Sequence, residues 1–294
     1  MTALPIHTYR FDAIVTKKID FRYFPGFVLR NALLRAMEEL YCTRKVAYGQ
    51  RAGACEKCPW LSNCIYRKLN LPVYDIPEKV AQAYLINPEG IDTHDIFPQG
   101  SRLSFQLSLF GHANQYAEQW IEAVRYLGSQ MGMGPDSGRF ELQEVSPVVH
   151  HEPAYIANNE KAVVIYFPYL YFFRDRNKIP REGMDFSNLI AKVQSRYTSL
   201  CSQYGQGNPQ PAIAQAEMPQ LVESHFHISR LLYPPGGSKD HYDCFKGRLA
   251  YAGNLAPFEG LLRFGSQIGI GQFTVAGLGR FRIFSTDSEP PVTH

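Results

Sequence analysis

The first half of the chain alternates between the two-residue period of β-strands and the wider period of amphipathic helices. Residues 101 to 110 show the strand pattern most clearly, because leucine or phenylalanine alternates there with polar residues. Strands are predicted in this half over 6–16, 72–86, 101–110 and 139–149. One helix precedes the second strand and another, over about 113 to 130, precedes the last. The order β-α-β-β-α-β is that of a ferredoxin-like domain.

The first helix is predicted after the turn at Pro25-Gly26. Its apolar residues lie three, four or seven positions apart, a spacing that places them on one side of a helix. This stripe consists of Leu29, Leu33, Ala36, Met37, Leu40 and Tyr41. Gly49 is predicted to end the helix, because glycine readily adopts the left-handed conformation that closes many helices.

The second half repeats this order. Strands are predicted over 162–173, 221–233 and 245–253, with a final strand near the C-terminus. A helix capped by Asp185 follows the first of these strands, and a short helix starts near Pro257. The sequence therefore predicts an α+β protein made of tandem ferredoxin-like (RRM-like βαββαβ) domains. The first is predicted over residues 1–152 and the second over residues 153–294.

The most distinctive stretch, residues 264 to 284, leads into the final strand. Five glycines fall within fifteen residues of it: Gly265, Gly269, Gly271, Gly277 and Gly279. Glycine adopts positive φ readily and lets a backbone approach a ligand, so such a loop can direct N–H groups at an anion. Arg280 and Arg282 alternate with Phe281 and Ile283, which predicts both guanidinium groups on one face of the strand. The alternative is a glycine-rich connection without a ligand.

Composition narrows the class of protein only slightly. Hydrophobic residues make up 45% of the chain and charged residues 19%, as in ordinary globular proteins. The net charge of +3 permits a nucleic-acid partner without demanding one. No apolar run reaches the roughly 18 residues of a membrane span, and the N-terminus lacks the pattern of a signal peptide. We therefore expect no membrane partner and a cytoplasmic location.

Four of the six cysteines are clustered, at Cys42, Cys55, Cys58 and Cys64. In a chain without an export signal, this clustering favours a metal site over disulfides. Three of the cysteines lie in an insert over residues 51–70, and Cys42, at the end of the first helix, is the predicted fourth ligand. Four thiolates fit a structural zinc site. The spacing also fits an iron–sulfur cluster, and reduced thiols without a metal are the third possibility.

Several stretches of the chain, taken together in order, are similar to one known family. They are PGFVLRNALLRAMEELYC and CEKCPWLSNCIYRKL near the start, then ISRLLYPPGGSKDHYDCFKGRLAYAG, and finally GIGQFTVAGLGRFRI. These resemble the first helix, the small cysteine cluster, the arginine-containing strand with its Gly-Gly turn, and the C-terminal glycine-rich signature of that family. The family is the repeat-associated mysterious protein (RAMP) superfamily of CRISPR systems, and within it the endoribonucleases that process CRISPR RNA.

This resemblance implies that the chain binds CRISPR repeat RNA and cleaves it without a metal or other cofactor. The 2′-hydroxyl attacks the adjacent phosphate and leaves a 2′,3′-cyclic phosphate. Such chemistry needs a proton acceptor, a proton donor, and cations or N–H groups at the phosphate. The RNA-binding residues that we predict are Arg44, Arg230, Lys239, Gly269, Gly271, Gly277, Gly279, Arg280 and Arg282.

The chain departs from the family at the expected catalytic histidine. Many relatives have a general-base histidine on or after the first helix, but residues 8 to 93 contain none. The remaining catalytic candidates are Tyr41 and Lys45, near the end of that helix, and His241, in a predicted loop. The missing histidine favours an alternative, in which the chain is a non-cleaving RAMP subunit of a CRISPR effector complex.

Two further histidines share one face of the predicted strand over residues 221 to 233. Because His225 and His227 are two positions apart, they line an RNA groove together or face solvent together. In both functional hypotheses we expect CRISPR repeat RNA or crRNA as the partner. Other effector subunits are possible partners, and a monomer or homodimer is expected.

Overall fold

The structure, a computed structural model, describes residues 4–42, 58–60, 62–70, 81–88, 90–149, 162–171, 184–206, 216–233 and 241–285. These residues form two four-stranded antiparallel sheets, one in each half of the chain. Helices pack on one face of each sheet. Among these residues, no helix is long and apolar enough to cross a membrane.

The sheet of the first half contains β1 (Ile6–Lys17), β3 (Tyr84–Asn87), β5 (Arg102–Phe110) and β6 (Arg139–Pro147). Its strand order, β3-β5-β1-β6, puts the first and last strands side by side, as in a ferredoxin-like domain. The short strands β2 (Ile19–Asp20) and β4 (Ile96–Phe97) pair separately. The strand predicted over 72–86 begins only at Tyr84 within the described residues.

The helices of this half are α1 (Pro25–Tyr41), α2 (Ile65–Asn70) and α3 (Ala117–Tyr126). α1 and α3 pack against the face of the sheet that carries Phe11, Ala13 and Val15, as the alternation of the first strand predicts. A 3-10 turn precedes α3 and a π-helical turn follows it, at Gly111–Tyr116 and Leu127–Met131. The predicted helix over 113–130 is therefore helical throughout, but only its middle is an α-helix.

α1 ends earlier than predicted. Tyr41 is its last residue, and Cys42 has the extended dihedrals φ −94° and ψ 108°. The N–H of Cys42 still donates to the carbonyl of Glu38 at 2.9 Å, so the helix closes its last turn without a glycine. The prediction that Gly49 ends the helix is therefore wrong, although Gly49 itself lies outside the described residues.

The sheet of the second half contains β7 (Ala162–Leu170), β8 (Gln220–Leu232), β9 (His241–Ala252) and β10 (Arg282–Ser285). Its order is β10-β7-β9-β8, which is the topology of the first sheet repeated. The helices α4 (Phe186–Tyr204) and α5 (Glu259–Ile268) cover one face of it. The predicted tandem ferredoxin-like fold is confirmed. The boundary at 152/153 lies outside the described residues and stays a prediction.

Four local predictions in the second half need correction. β9 begins at His241, so this residue belongs to a strand rather than a loop. α5 extends to Ile268, so Gly265 is helical and not part of the loop. β10 begins at Arg282, so Arg280 precedes the strand. Asp185 occupies the N-cap of α4, but its side chain forms no capping hydrogen bond.

The two halves share hydrophobic clusters. In one, Phe24 and Phe27 at the start of α1 pack with Tyr171, Tyr242 and Leu278 of the second half. A second cluster joins Leu4, Leu85 and Phe110 to Tyr197, Leu200, Cys201 and Ile268. The N–H of Phe24 also donates to the carbonyl of Leu232 at 3.1 Å. These contacts fix the start of α1 against the second sheet.

Candidate nucleic-acid interface

The Gly-rich loop, residues 269 to 281, uses its glycines to fold tightly. Gly269, Gly271, Gly277 and Gly279 have φ values of 69°, 82°, 86° and 73°, a region that favours glycine. The N–H groups of Gly269, Gly277 and Gly279 donate to the carbonyls of Gly265, Thr274 and Tyr169, at 2.9, 2.9 and 2.6 Å. Because these three donors are used inside the protein, the predicted anion cradle does not form from them.

Close packing also holds the loop. A Cβ atom on Gly26, at the start of α1, would lie only 1.8 Å from the carbonyl oxygen of Ala276 in the loop. Phe273 adopts the left-handed region, with φ 56°, which is uncommon for a residue with a side chain. Its ring lies 5.4 Å from that of Phe27 and 5.0 Å from that of Tyr242. The loop is therefore held in one conformation by its packing between the start of α1 and the second sheet.

Tyr41 is bound to a carboxylate. Its hydroxyl donates to the carboxylate of Glu122 on α3. Burial, and then this carboxylate, raise the pKa of Tyr41 well above its ordinary value, because both disfavour the phenolate. The hydroxyl therefore keeps its proton at neutral pH, and the contact gives no support to Tyr41 as a general base.

The structure does not bring the predicted catalytic side chains together. Tyr41 is the last residue of α1, whereas the Gly-rich loop contacts its first turn. The helix has 17 residues and so is about 25 Å long. Tyr242 contacts the loop residue Phe273, but His241 precedes it on a strand and so projects from the opposite face. Lys45 lies outside the described residues.

The predicted RNA-binding cations are also separated. Arg282 is exposed at the start of β10, and Arg280 is half-buried before it. Arg230 lies on β8 with its side chain 66% exposed, 3.7 Å from Asp243, and alternation puts it on the face opposite His225. Arg44 and Lys239 lie outside the described residues.

One set of side chains does form a continuous arrangement, on the face of the second sheet that α4 and α5 leave open. The strand registers pair Arg282 with Tyr166, Tyr166 with Arg248, and Arg248 with His225. Directly paired residues of an antiparallel sheet point to the same face. These four residues therefore cross all four strands in one line, which we call the cation row.

The surroundings of the cation row are mainly positive. In the neighbouring register Lys246 pairs with His227, and its Nζ lies 5.3 Å from the centre of the Tyr169 ring. Among the described residues, the carboxylate of Glu223 contacts the row and accepts from His225 and, at 3.2 Å, from Arg248. The hydrogen bond from His225 holds the pKa of Glu223 below its ordinary value. Alternating cations and rings provide what single-stranded nucleic acid requires, namely charge for phosphates and flat surfaces for bases.

Sequence reasoning identified Arg282 and His225 but missed Tyr166 and Arg248. Alternation alone shows that Tyr166 lies opposite Val163, Ile165 and Phe167, and so identifies the face on which it lies. Its pairing with Arg248 depends on which strands are neighbours and in which register. Neither is encoded in the local pattern of the two strands.

The cysteine site stays a prediction. Cys42, Cys58 and Cys64 are partly exposed, and Cys55 lies outside the described residues. Within the part of the chain that the structure describes, no group of three or more histidine, cysteine or acidic residues could hold a metal. The three described cysteines therefore do not form a metal site by themselves.

Comparisons with known proteins place this fold among CRISPR-associated proteins of the RAMP type. A model described as the AF_1859_N N-terminal domain matches residues 4–166, and one described as the CRISPR-associated endoribonuclease Cas6 matches residues 165–281. The first match covers more than half of the chain, which therefore belongs to the AF_1859_N family, and the second match covers most of the second half. No curated protein matched the chain.

Solved structures confirm the fold over the whole length. A RAMP protein described as binding different RNA substrates is 12% identical, with a TM-score of 0.53 over 95% of this chain and 99% of that one. A Cas6 product complex is 11% identical, with a TM-score of 0.56 over 95% and 100%. A Cas6-related protein from Pyrococcus furiosus is 10% identical, with a TM-score of 0.53 over 96% and 100%. At such identities the likeness concerns the fold alone.

Proposed function

We propose that this protein binds CRISPR repeat RNA and cleaves it as an endoribonuclease. The observation that carries the proposal is the Cas6 family match over residues 165–281. That range contains Tyr166, His225 and Arg248 of the cation row and ends directly before Arg282. The family match and the chemistry of the open face thus indicate the same half of the molecule.

The RNA lies across the open face of the second sheet. The guanidinium groups of Arg248 and Arg282 and the ammonium group of Lys246 bind backbone phosphates, and the ring of Tyr166 stacks on a base. Side chains on successive strands lie about 5 Å apart, so the row offers several contacts to one short stretch of RNA. Such contacts bind RNA with little preference for sequence.

Cleavage proceeds by attack of a 2′-hydroxyl on the adjacent phosphate, without a metal. The attacking hydroxyl gives up its proton, the phosphorus–oxygen bond to the 5′-oxygen breaks, and that oxygen takes up a proton. His225 and His227 are imidazoles on the open face, and we assign the proton transfers to them. Support for this assignment over Tyr41 comes from the protonated state of Tyr41 and its distance from the loop.

The test is incubation of the purified protein with its cognate repeat RNA in EDTA. We expect unimpaired cleavage, with a 2′,3′-cyclic phosphate on one product and a 5′-hydroxyl on the other. His227→Ala should slow cleavage with little change in affinity, since a residue that transfers protons acts on the chemical step. RNA that is bound but stays intact would contradict the nuclease activity.

A non-cleaving RNA-binding subunit of a CRISPR effector complex is the second candidate function. The observation in its favour is that Tyr41 and His241 do not converge with the Gly-rich loop. This candidate predicts that the protein binds repeat RNA at the same affinity with or without EDTA and returns it uncut after long incubation.

A further inference from the structure

We propose that Glu223 occupies the position of an RNA phosphate on the cation row, so that RNA must displace it in order to bind. The inference rests on the proposed function, because it concerns how the same open face selects its ligand. It assigns to Glu223 a role in specificity, not in the chemical step.

The geometry of Glu223 is that of a bridging anion. It lies two residues before His225 on β8, on the same face, and its partner across the ladder is Ala250. One oxygen, Oε1, accepts from both His225 Nε2 and the terminal nitrogen of Arg248, at 3.2 Å from the latter. His225 and Arg248 are adjacent members of the row, and this carboxylate contacts a side-chain nitrogen of each.

A phosphate oxygen that binds the same two side chains would form the same pair of bonds. Carboxylate and phosphate oxygens are both acceptors of charge-assisted hydrogen bonds from guanidinium and imidazolium groups. Glu223 and the two cations are between 42% and 58% exposed, so water screens the bonds and they contribute little to folding. The carboxylate is therefore readily displaced.

Because RNA must displace Glu223, its affinity depends on how many of its phosphates contact the row at the same time. An RNA segment that contacts Arg282, Tyr166 and Lys246 gains enough elsewhere to replace Glu223 at the other end of the row. A short or poorly placed anion that contacts only His225 and Arg248 competes with Glu223 directly. Glu223 thus selects against small anions and short oligonucleotides.

The first test compares Glu223→Gln with Glu217→Gln. The two variants change the net charge equally, but Glu217 precedes β8, away from the row, and is exposed. We expect Glu223→Gln to bind repeat RNA about three- to tenfold more tightly, with a slope of log affinity against log salt concentration steeper by about 0.7, and Glu217→Gln to change affinity less than about twofold. Equal tightening in both variants, or none in Glu223→Gln, would overturn the inference.

A second test separates this inference from the proposed function. Inorganic phosphate is titrated into the protein without RNA, while the imidazole signals of His225 are followed by NMR. We expect Glu223→Gln to respond at lower phosphate concentrations than the wild type and Glu217→Gln, and identical titrations would refute the displacement. If the wild type fails to bind repeat RNA, the proposed function falls, and the phosphate titration still decides the role of Glu223.

Discussion

The two sheets have the same topology but carry different chemistry on the faces opposite their helices. In the first sheet, the row that corresponds to the cation row crosses β6, β1, β5 and β3 at Ser146, Arg10, Gln106 and Asn87. Its single cation donates to its neighbour Asp12 at 2.9 Å, and Asn87 donates to Gln106 at 3.1 Å. In the second sheet, the equivalent positions hold Arg282, Tyr166, Arg248 and His225.

This difference shows that the fold alone does not create an RNA-binding face. The first row has one cation, which is paired with Asp12, and a buried amide at Asn87, whereas the second has exposed cations at Arg248 and Arg282 beside the half-buried ring of Tyr166. The first half contributes instead the start of α1, against which the Gly-rich loop is fixed. We therefore expect the second half to bind the RNA and both halves to determine the geometry of the binding face.

The largest expected effect comes from Gly279→Ala, which tests whether the loop positions the row. A Cβ atom there would lie 1.7 Å from the carbonyl oxygen of Ile270, at φ 73°, so the turn cannot persist unchanged. We expect a loss of about 3 kcal/mol or more in the free energy of unfolding, measured in urea. RNA binding should fall too, because Arg282 follows three residues later.

The matched control for this variant is Gly260→Ala. Gly260 lies in α5, and its Cβ would meet open space. The substitution should leave stability unchanged or raise it by up to about 1 kcal/mol, since alanine favours helices more than glycine does. Equal stability of both variants would show that the loop tolerates a different conformation.

The next largest effect is expected from Tyr166→Ala, which removes the ring from the cation row. Loss of one stacked base costs about 1 to 3 kcal/mol of binding free energy, or roughly 5- to 150-fold in affinity. Fluorescence anisotropy with labelled repeat RNA measures it. Arg10→Ala, at the equivalent position of the first sheet, should leave the affinity unchanged, and a comparable loss there would remove the distinction between the two faces.

A smaller effect is expected from Arg248→Gln. Removing one phosphate contact should lower the slope of log affinity against log salt concentration by about 0.7 for single-stranded RNA. Arg102→Gln removes an exposed cation from the first sheet and serves as the control. If the slope changes equally in both variants, the cations act through net charge and not through the row.

The smallest effect is expected from Tyr41→Phe. The hydroxyl is bound to Glu122 at the end of α1 that does not contact the Gly-rich loop, so we expect cleavage within about twofold of the wild type. Single-turnover assays under saturating protein measure this. A loss of cleavage of two orders of magnitude would restore Tyr41 as a catalytic residue and place the reaction at the other end of α1.

Much of the fold could be predicted from the sequence, because most strands and helices bury one face and so repeat with their own period. Element ends were harder: Cys42 ends α1 without a glycine, and α5 continues through Gly265 because that residue packs against Val193 and Phe281. His241 looked like a loop residue because prolines and glycines precede it.

The candidate site was less predictable than the fold. The glycine content indicates a ligand at the loop, but the N–H groups of three of its glycines donate to protein carbonyls instead. The cation row depends on pairing between residues as far apart as Tyr166 and Arg282. The row is aligned by the ladders between β10 and β7, β7 and β9, and β9 and β8. A shift of one residue in any of these ladders would place members of the row on opposite faces of the sheet.

The hydrophobic clusters shared by the two halves make the repeat indivisible. A fragment over residues 162–285 would lack Phe24 and Phe27, and so would leave Tyr171, Tyr242 and Leu278 without their cover. Such a fragment would self-associate through this aromatic patch, as exposed apolar patches generally do. The molecule therefore repeats one domain topology twice, but we expect it to unfold as one unit.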